Sequence, residues 1–220
     1  MSLQTLDRIL IEPKQPANAV MIWLHGLGSN GDDLAPLASM LKLNQGVNMR
    51  FIFPHAPVRP VKLSGGTPMT AWYDLEIHGH ERKVVTEDLE YSSDQVLAII
   101  EDQIQQGIPS DRIVVAGFSQ GGAVTYETLF RCPYPLAAAI PMSTYIGNMD
   151  TLSQAKFKKT PVWVSHGTAD DVVPFELGTR AFEALKSSGF APSFKEYTMA
   201  HSVSPAQIKD IQAFLNSVLD

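Results

Sequence analysis

The sequence predicts an α/β fold in which a mostly parallel sheet is covered by helices on both faces. Two observations support this prediction. Short apolar runs rich in Val, Ile and other strand-favouring residues alternate along the chain with longer segments whose apolar residues recur at helical spacing. No repeat, low-complexity tract or linker divides the 220 residues, so a single domain spanning 1–220 is expected.

The apolar runs predict the strands in chain order. Their ranges are 6–11, 19–24, 49–53, 113–116, 136–140, 162–165 and 193–197. Amphipathic spacing predicts helices between them, at 32–42, 86–106, from the glycine-rich segment after 116 to near 131, and at 175–187. Gly107 supplies a stop for the second of these helices. A last helix begins after Ser204, since Ser-Pro-x-Gln supplies an N-cap, a proline at the first helical position and a capping-box partner.

Composition limits the classes of partner. Hydrophobic residues make up 45% and charged residues 18%, which is typical of a globular protein, and the net charge is −6. The acidic balance and the lack of basic runs disfavour nucleic acid as a partner. The first residues show no basic segment followed by an apolar stretch, and Cys132 is the sole cysteine, so a reducing cytoplasm is the expected location.

The run V-V-A-G-F-S-Q-G-G at 114–122 places Ser119 between two glycines where a predicted strand meets a predicted helix. G-x-S-x-G at such a corner is the nucleophile-elbow pattern, in which a strained turn lifts the serine hydroxyl above the sheet. Glycines at 117 and 121 avoid side-chain collisions at that turn. The pattern alone is weak, because five such letters also arise by chance, and a serine at a tight turn is usually structural.

Partners for Ser119 follow in the order that the elbow requires. Asp170 comes just after a predicted strand, and His201 is the last histidine, in the loop before the final helix. A serine hydroxyl needs a base, and the base needs an orienting carboxylate. These residues therefore form a candidate triad, with Asp171 as a rival to Asp170. Taken singly, Asp170 is also a common turn former and His201 a common loop residue.

An oxyanion hole is expected from two backbone N–H groups. The amide of Gln120 directly follows the nucleophile, and the loop His25-Gly26-Leu27-Gly28 follows an earlier strand, so Leu27 N–H is the second candidate donor. His25 and His166 each precede a glycine at a strand end and are interpreted as hydrogen-bonding supports rather than bases. The H-G-H-E run at 78–81 is interpreted as an exposed polar loop, and no metal site is expected.

These residues closely resemble the acyl-protein thioesterases and small carboxylesterases, a phospholipase/carboxylesterase group of the α/β-hydrolase fold. The matching motifs span nearly the whole chain: L-H-G-L-G at 24–28, F-P-H-A-P at 53–57, R-P-V at 59–61, A-W-Y-D at 71–74, R-I-V-V-A-G-F-S-Q-G-G-A at 112–123, H-G-T-A-D at 166–170, V-V-P at 172–174 and H-S-V at 201–203. Members often carry Gly before the histidine, where this chain has Ala200.

The resemblance implies Ser119 as nucleophile, Asp170 as orienter, His201 as base and the amides of Leu27 and Gln120 as oxyanion donors. It implies hydrolysis of carboxylic esters and thioesters, including S-acylated proteins, lysolipids and small esters, without a cofactor. A monomer or homodimer is expected. Alternatives are a serine peptidase on the same fold and a catalytically silent binding protein.

Substrate selection is expected to come from the stretch 54–80, which is rich in proline and glycine and is predicted to be irregular. Long ordered loops of this kind are usually functional or covering segments. Leu63, Met69 and Trp72 are candidates to line an acyl groove, although Trp72 would equally serve as a core residue. The same stretch is a candidate for peripheral contact with a membrane.

Overall fold

The computed structural model describes residues 5–79 and 81–220. Its strands, in chain order, are β1 Arg8–Ile11, β2 Ala19–Leu24, β3 Met49–Pro54, β4 Val58–Pro60, β5 Pro68–Thr70, β6 Leu75–His78, β7 Glu81–Val84, β8 Ile113–Phe118, β9 Ala138–Met142, β10 Trp163–Gly167 and β11 Ser193–Tyr197. Its α-helices are α1 Gly31–Leu34, α2 Thr86–Gln105, α3 Gln120–Arg131, α4 Met149–Ser153, α5 Phe175–Ser187 and α6 Pro205–Leu219.

Seven of the described strands form one sheet in the order β1-β3-β2-β8-β9-β10-β11. All neighbours pair in parallel except β1, which runs antiparallel to β3 at one edge. The predicted α/β fold is confirmed. No helix in the described ranges combines the length and apolar character needed to cross a bilayer.

Strand β2 explains why the sheet is covered on both faces. All six of its residues are buried, as expected for a central parallel strand. Val20, Ile22 and Leu24 pack in one core with residues of α2 and α3, whereas the intervening Met21 and Trp23 pack in another with residues of α6. The twofold alternation of side chains along a strand therefore divides the core into two layers.

The structure differs from the prediction in several places. The helix predicted at 32–42 is a four-residue α1 followed by a 3₁₀ helix, Ala35–Met40, with Pro36 at its start; proline has no N–H to continue α-helical bonding. The strand predicted at 136–140 runs instead from Ala138 to Met142, so Pro141 lies within β9 rather than ending it.

The stretch 54–80 is more regular than predicted. It contains the hairpin β4–β5, whose prolines Pro60 and Pro68 lie opposite each other, and the first strand of the hairpin β6–β7. Strands of only three or four residues are difficult to recognise in sequence, and proline in β4 and β5 makes their pattern resemble that of a loop. The α2 helix follows directly after the second hairpin.

Parallel strands bring their carboxyl ends to one edge of the sheet. The loop from His25 to Gly28 follows β2, Ser119 follows β8, Asp170 follows β10, and the loop carrying His201 follows β11. Sites in open α/β sheets lie at this edge. The topology thus gathers the residues that the sequence singled out.

One acid lies inside the structure away from that edge. Glu127 on α3 is 1% exposed, and its carboxylate accepts a hydrogen bond from the Thr151 hydroxyl at 3.0 Å. Burial raises the pKa of Glu127 from its ordinary 4.5 to about 7, against the lowering effects of Thr151 and nearby Arg131. The folded state therefore holds this proton more tightly than the unfolded chain.

This gives a prediction for stability. Between pH 5 and 8 the unfolded chain releases the Glu127 proton more readily than the folded state, so the wild type loses stability on the order of 2 kcal/mol over this range from this group. Glu127→Gln cannot ionise and keeps an oxygen for Thr151. Its free energy of unfolding should rise relative to wild type as the pH increases, measured by urea denaturation at pH 5 and 8. Glu101→Gln, on an exposed position of α2, is the control, and an unchanging difference between Glu127→Gln and wild type would contradict the prediction.

Candidate active site

Ser119 occupies the sharp corner between β8 and α3. Its backbone has φ 56° and ψ −119°, and only one other described non-glycine residue, Ser143, has a positive φ. Such a conformation is strained for a residue with a side chain. Hydrogen bonds hold it in place: Ser119 N–H donates to Met142 C=O at 2.9 Å, and Ser119 C=O accepts from the N–H groups of Gly122 and Ala123.

Glycines at 117 and 121 are needed because backbone segments meet at this corner. A Cβ atom on Gly117 would lie 2.2 Å from the Gly121 carbonyl oxygen. A Cβ atom on Gly121 would lie 2.5 Å from the carbonyl oxygens of both Leu24 and His25. Side chains at these two positions would therefore collide with backbone atoms. At Gly121 those atoms belong to the end of β2 and the loop after it, so the elbow packs closely against that segment.

Three side chains are connected by hydrogen bonds at the corner. His201 Nε2 lies 2.9 Å from Ser119 Oγ, and His201 Nδ1 lies 2.7 Å from Asp170 Oδ2. His201 is separated from Ser119 by 82 positions and from Asp170 by 31. The arrangement allows Nδ1–H to donate to the carboxylate while Nε2 accepts the serine proton. The Phe118 ring packs on the imidazole with centroids 4.6 Å apart.

The Asp170 carboxylate is fully enclosed. Its Oδ1 accepts from the amides of Val172 and Val173 at 3.0 and 2.8 Å, and its Oδ2 lies 3.4 Å from His166 Nε2. Burial opposes ionisation, but the hydrogen bonds from His166, His201 and Val173 outweigh it and hold the pKa of Asp170 well below its ordinary value. Asp171, the rival in the sequence, is exposed.

His166 supports this carboxylate and does not contact Ser119. Its Nε2 lies 2.8 Å from the Val173 carbonyl oxygen. A carbonyl can only accept, so Nε2 carries a proton and is also directed at Asp170. The ring is fully buried between β10 and α5. The predicted role as a hydrogen-bonding support matches these contacts.

His25 is a second buried histidine that supports a loop of the site, the loop after β2. Its Nε2 accepts from Ala56 N–H at 3.0 Å, and its Nδ1–H therefore donates to Gly26 C=O at 2.7 Å. Burial lowers the pKa of His25, with its hydrogen bond to Gly26 acting in the opposite direction. The neutral ring thus fixes the backbone that precedes Leu27.

The two candidate oxyanion donors, Leu27 N–H and Gln120 N–H, belong to residues that line the cavity beside Ser119. Neither amide has an acceptor among the described residues. Gln120 is the first residue of α3, where the backbone N–H is unpaired within the helix. Both amides are therefore available to a ligand.

The Gln120 side chain makes two backbone hydrogen bonds that the sequence did not reveal. Its Oε1 accepts from Trp72 N–H and its Nε2 donates to Tyr73 C=O, both at 2.7 Å. Trp72 Nε1–H donates to His25 C=O at 2.8 Å. These bonds attach the stretch 54–80 to the elbow and to the loop after β2.

A cavity of about 500 Å³ opens beside Ser119 and His201. Its walls are mostly apolar, and the contributing side chains include Leu34, Leu37, Leu63, Leu75, Phe118 and Val203. Leu63, one of the residues proposed from the sequence for an acyl groove, lies in the cavity wall. Met69 does not line it, and Trp72 is fully buried in the core cluster that also contains Ala123 and Val124 of α3.

His78, Gly79 and Glu81, the described residues of the polar run at 78–81, do not line the cavity beside Ser119. His78 Nε2 is 3.3 Å from the Glu76 carboxylate, and both side chains are well exposed. His80 lies outside the described residues. Within residues 5–79 and 81–220, no three His, Cys, Asp or Glu side chains are grouped as metal ligands would be.

Comparisons with known proteins show the family of the chain. The phospholipase/carboxylesterase family model matches residues 7–219. Acyl-protein thioesterase 1 of Mycosarcoma maydis is 33% identical over 240 residues, with 99% of each chain covered. The crystal structure of Arabidopsis thaliana SOBER1 has a TM-score of 0.84 and 30% identity over 93% of this chain and all of that one. The crystal structure of Zea mays acyl-protein thioesterase 2 has a TM-score of 0.81 and 29% identity over 97% of this chain and 99% of that one. The chain therefore belongs to the phospholipase/carboxylesterase family of α/β hydrolases and is a serine hydrolase.

Proposed function

We propose that the chain hydrolyses acyl esters and thioesters through an acyl-enzyme on Ser119, with His201 as base and Asp170 as orienter. The observation that carries the proposal is the continuous hydrogen-bond chain from Ser119 Oγ through the imidazole to a buried carboxylate. The relatives named acyl-protein thioesterase support acylated proteins as one substrate class.

The first half-reaction forms the acyl-enzyme. Ser119 Oγ attacks the carbonyl carbon while His201 Nε2 takes the hydroxyl proton. The amides of Leu27 and Gln120 donate to the oxygen that becomes negative. When the C–S or C–O bond breaks, the leaving thiol or alcohol receives the proton from His201.

The second half-reaction restores the enzyme. Water attacks the acyl carbonyl, and His201 takes one of its protons and returns it to Ser119 Oγ as the carboxylic acid leaves. Asp170 remains a carboxylate throughout and stabilises the imidazolium. The sequence prediction that no cofactor is required stays a prediction, as do the oligomeric state, the cytoplasmic location and the membrane contact of 54–80.

The acyl group is assigned to the apolar cavity. Leu34, Leu37 and Leu63 lie in its wall, and Leu63 is 50% exposed, so its side chain is available to a ligand. A volume of about 500 Å³ suits a small or medium acyl chain. The Tyr73 and Trp72 backbone, attached to Gln120, forms the support behind it.

The main test is an activity panel of aryl esters, acyl thioesters and lysolipids with wild type and Ser119→Ala. Ser119→Ala should lose about 10⁴-fold or more in kcat, because the remaining groups cannot form the acyl-enzyme. Ser217→Ala, on an exposed position of α6, should match wild type. A fluorophosphonate should add its mass to the peptide containing Ser119. Equal turnover by Ser119→Ala would refute the assignment, and amide cleavage in preference to ester cleavage would favour a peptidase.

The pH profile tests His201. The lowered pKa of Asp170 keeps its carboxylate ionised across pH 5–8, so a loss of rate on acidification reports the imidazole. A protonated imidazole cannot accept the serine proton. We expect kcat/KM to fall with one-proton dependence as the pH is lowered from 8 to 5.

Asp170→Asn should lose about 10³-fold or more at pH 8, while exposed Asp171→Asn should resemble wild type. A flat profile between pH 5 and 8 would remove His201 from the proposed role. A larger loss of activity in Asp171→Asn than in Asp170→Asn would show that Asp171, and not Asp170, orients the imidazole.

Acyl length tests the cavity. Burial of each methylene contributes about 0.8 kcal/mol, so kcat/KM for 4-nitrophenyl esters should rise by up to about fourfold per methylene until the cavity is filled. Leu63→Ala should reduce the rise, whereas Leu10→Ala, a surface leucine that is 49% exposed and does not line the cavity, should not. A rate independent of chain length would argue against a dedicated acyl cavity.

A further inference from the structure

Three polar side chains in the cavity wall have no part in the proposed acyl transfer. They are Tyr73, Tyr145 and Arg82. Tyr73 comes from the stretch 54–80, called the covering stretch below. Tyr145 comes from the loop after β9, and Arg82 from β7. An acyl chain gains nothing from them, since its own contacts are apolar.

The two tyrosines have a hydroxyl proton to spare. Tyr73 Oη and Tyr145 Oη lie 2.9 Å apart, and both residues are buried. Burial raises the pKa of each phenol, so both remain protonated at neutral pH. A single hydrogen bond between two hydroxyls uses one of the two protons. Tyr73 is fully buried, so when it donates to Tyr145 the proton left without an acceptor among the described residues is that of Tyr145, which lines the cavity.

Arg82 brings a positive charge to the same wall. Its guanidinium donates to Val172 C=O at 2.8 Å and to Gly79 C=O at 3.4 Å. No carboxylate in the described ranges lies within ion-pair distance of it, whereas Arg59 pairs with Asp88 at 2.6 Å. Arg82 lines the same cavity as Tyr73 and Tyr145. Burial raises the pKa of both phenols, and the Arg82 charge acts in the opposite direction. A guanidinium has five N–H donors, so most of its capacity is unused.

The carboxylates around Arg82 do not balance the positive charge on this side of the cavity. The acid that lines the catalytic cavity, Asp33, already accepts from the Ser29 hydroxyl at 2.6 Å and the Asn30 amide at 3.3 Å. A second cavity of about 500 Å³ shares Arg82 and Tyr145 with the first. It is lined by Lys83 and Arg180, which have no ion-pair partner among the described residues, against one carboxylate, Glu81.

We propose that Arg82 and the Tyr73–Tyr145 hydroxyl pair form a subsite for an anionic group, carboxylate or phosphate, carried by the ester substrate. The proposal rests on the proposed hydrolase function and adds a charge preference to it. A planar guanidinium and a phenol O–H are suitable donors to such oxygens, and hydrogen bonds to charged groups are stronger than neutral ones. The second cavity provides room for a group that extends beyond the subsite.

The test uses thioester pairs in which one member carries an anionic group and the other is neutral. S-butyryl-3-mercaptopropionate and its amide place the charge on the leaving group, and the S-ethyl thioesters of glutarate and glutaramate place it on the acyl group. S-butyryl-2-mercaptoethyl phosphate and S-butyryl-2-mercaptoethanol test phosphate in place of carboxylate. Each kcat/KM is divided by the rate of hydrolysis by hydroxide, so that intrinsic reactivity cancels.

We expect wild type to prefer the anionic member of at least one pair by about tenfold or more, the effect of one charge-assisted hydrogen bond. Arg82→Met should remove this preference and leave the neutral member within about threefold of wild type. Tyr145→Phe should reduce the preference. Lys62→Met removes the same charge from the covering stretch, where Lys62 pairs with Glu76 outside the cavity, and should keep the preference.

Equal rates within every pair, or a preference for the anionic member that survives in Arg82→Met, would refute the subsite. The hydrolase function would still stand in either case if the neutral substrates are hydrolysed. If wild type hydrolysed none of the thioesters, the proposed function would fail instead. Calorimetric titration of Ser119→Ala with S-butyryl-3-mercaptopropionate and its amide still tests the subsite in that case. Tighter binding of the carboxylate supports the subsite, and equal affinity refutes it.

Discussion

The strained backbone of Ser119 is the constraint on which the rest of the site depends. With φ 56°, the residue places its hydroxyl 2.9 Å from His201 Nε2 and leads directly into Gln120, which lines the cavity. The close packing of Gly121 against the carbonyls of Leu24 and His25 holds the corner in this shape. Relaxation of this corner would separate the hydroxyl from the imidazole and the Gln120 amide from the cavity together, because one turn positions both.

The covering stretch is part of the same unit. Gln120 provides an amide N–H from its backbone and binds the main chain of Trp72 and Tyr73 with its side chain. Trp72 in turn donates to His25 C=O, and the His25 ring fixes the Gly26 carbonyl next to Leu27. One buried network therefore connects the wall of the substrate cavity with both candidate oxyanion donors. Buried polar networks with every member paired rigidify a structure, which is the state that electrostatic stabilisation of an oxyanion requires.

The strands of the sheet, the order of the triad residues and the start of α6 could be predicted from the sequence, because each is marked by a local pattern of residue types. The apolar runs gave the strands of the sheet, the order Ser119, Asp170, His201 gave the hydrogen-bonded chain, and Ser204 with Gln207 gave the capping box of α6. Contacts between distant, unremarkable residues could not be predicted. Nothing in the sequence pairs Tyr73 with Tyr145, 72 positions apart, or directs the Gln120 side chain to the backbone of Trp72. The hairpins of 54–80 were missed because their short strands depend on tertiary support rather than on their own propensity.

The acyl-enzyme mechanism is tested most directly by stopping the reaction in acid during steady turnover of a 4-nitrophenyl ester and measuring the mass of the digested protein. We predict that the peptide containing Ser119 gains the mass of the acyl group, that the adduct disappears when substrate is exhausted, and that it is absent in Ser119→Ala. Turnover without an acylated serine, or an acyl group on another residue, would contradict it.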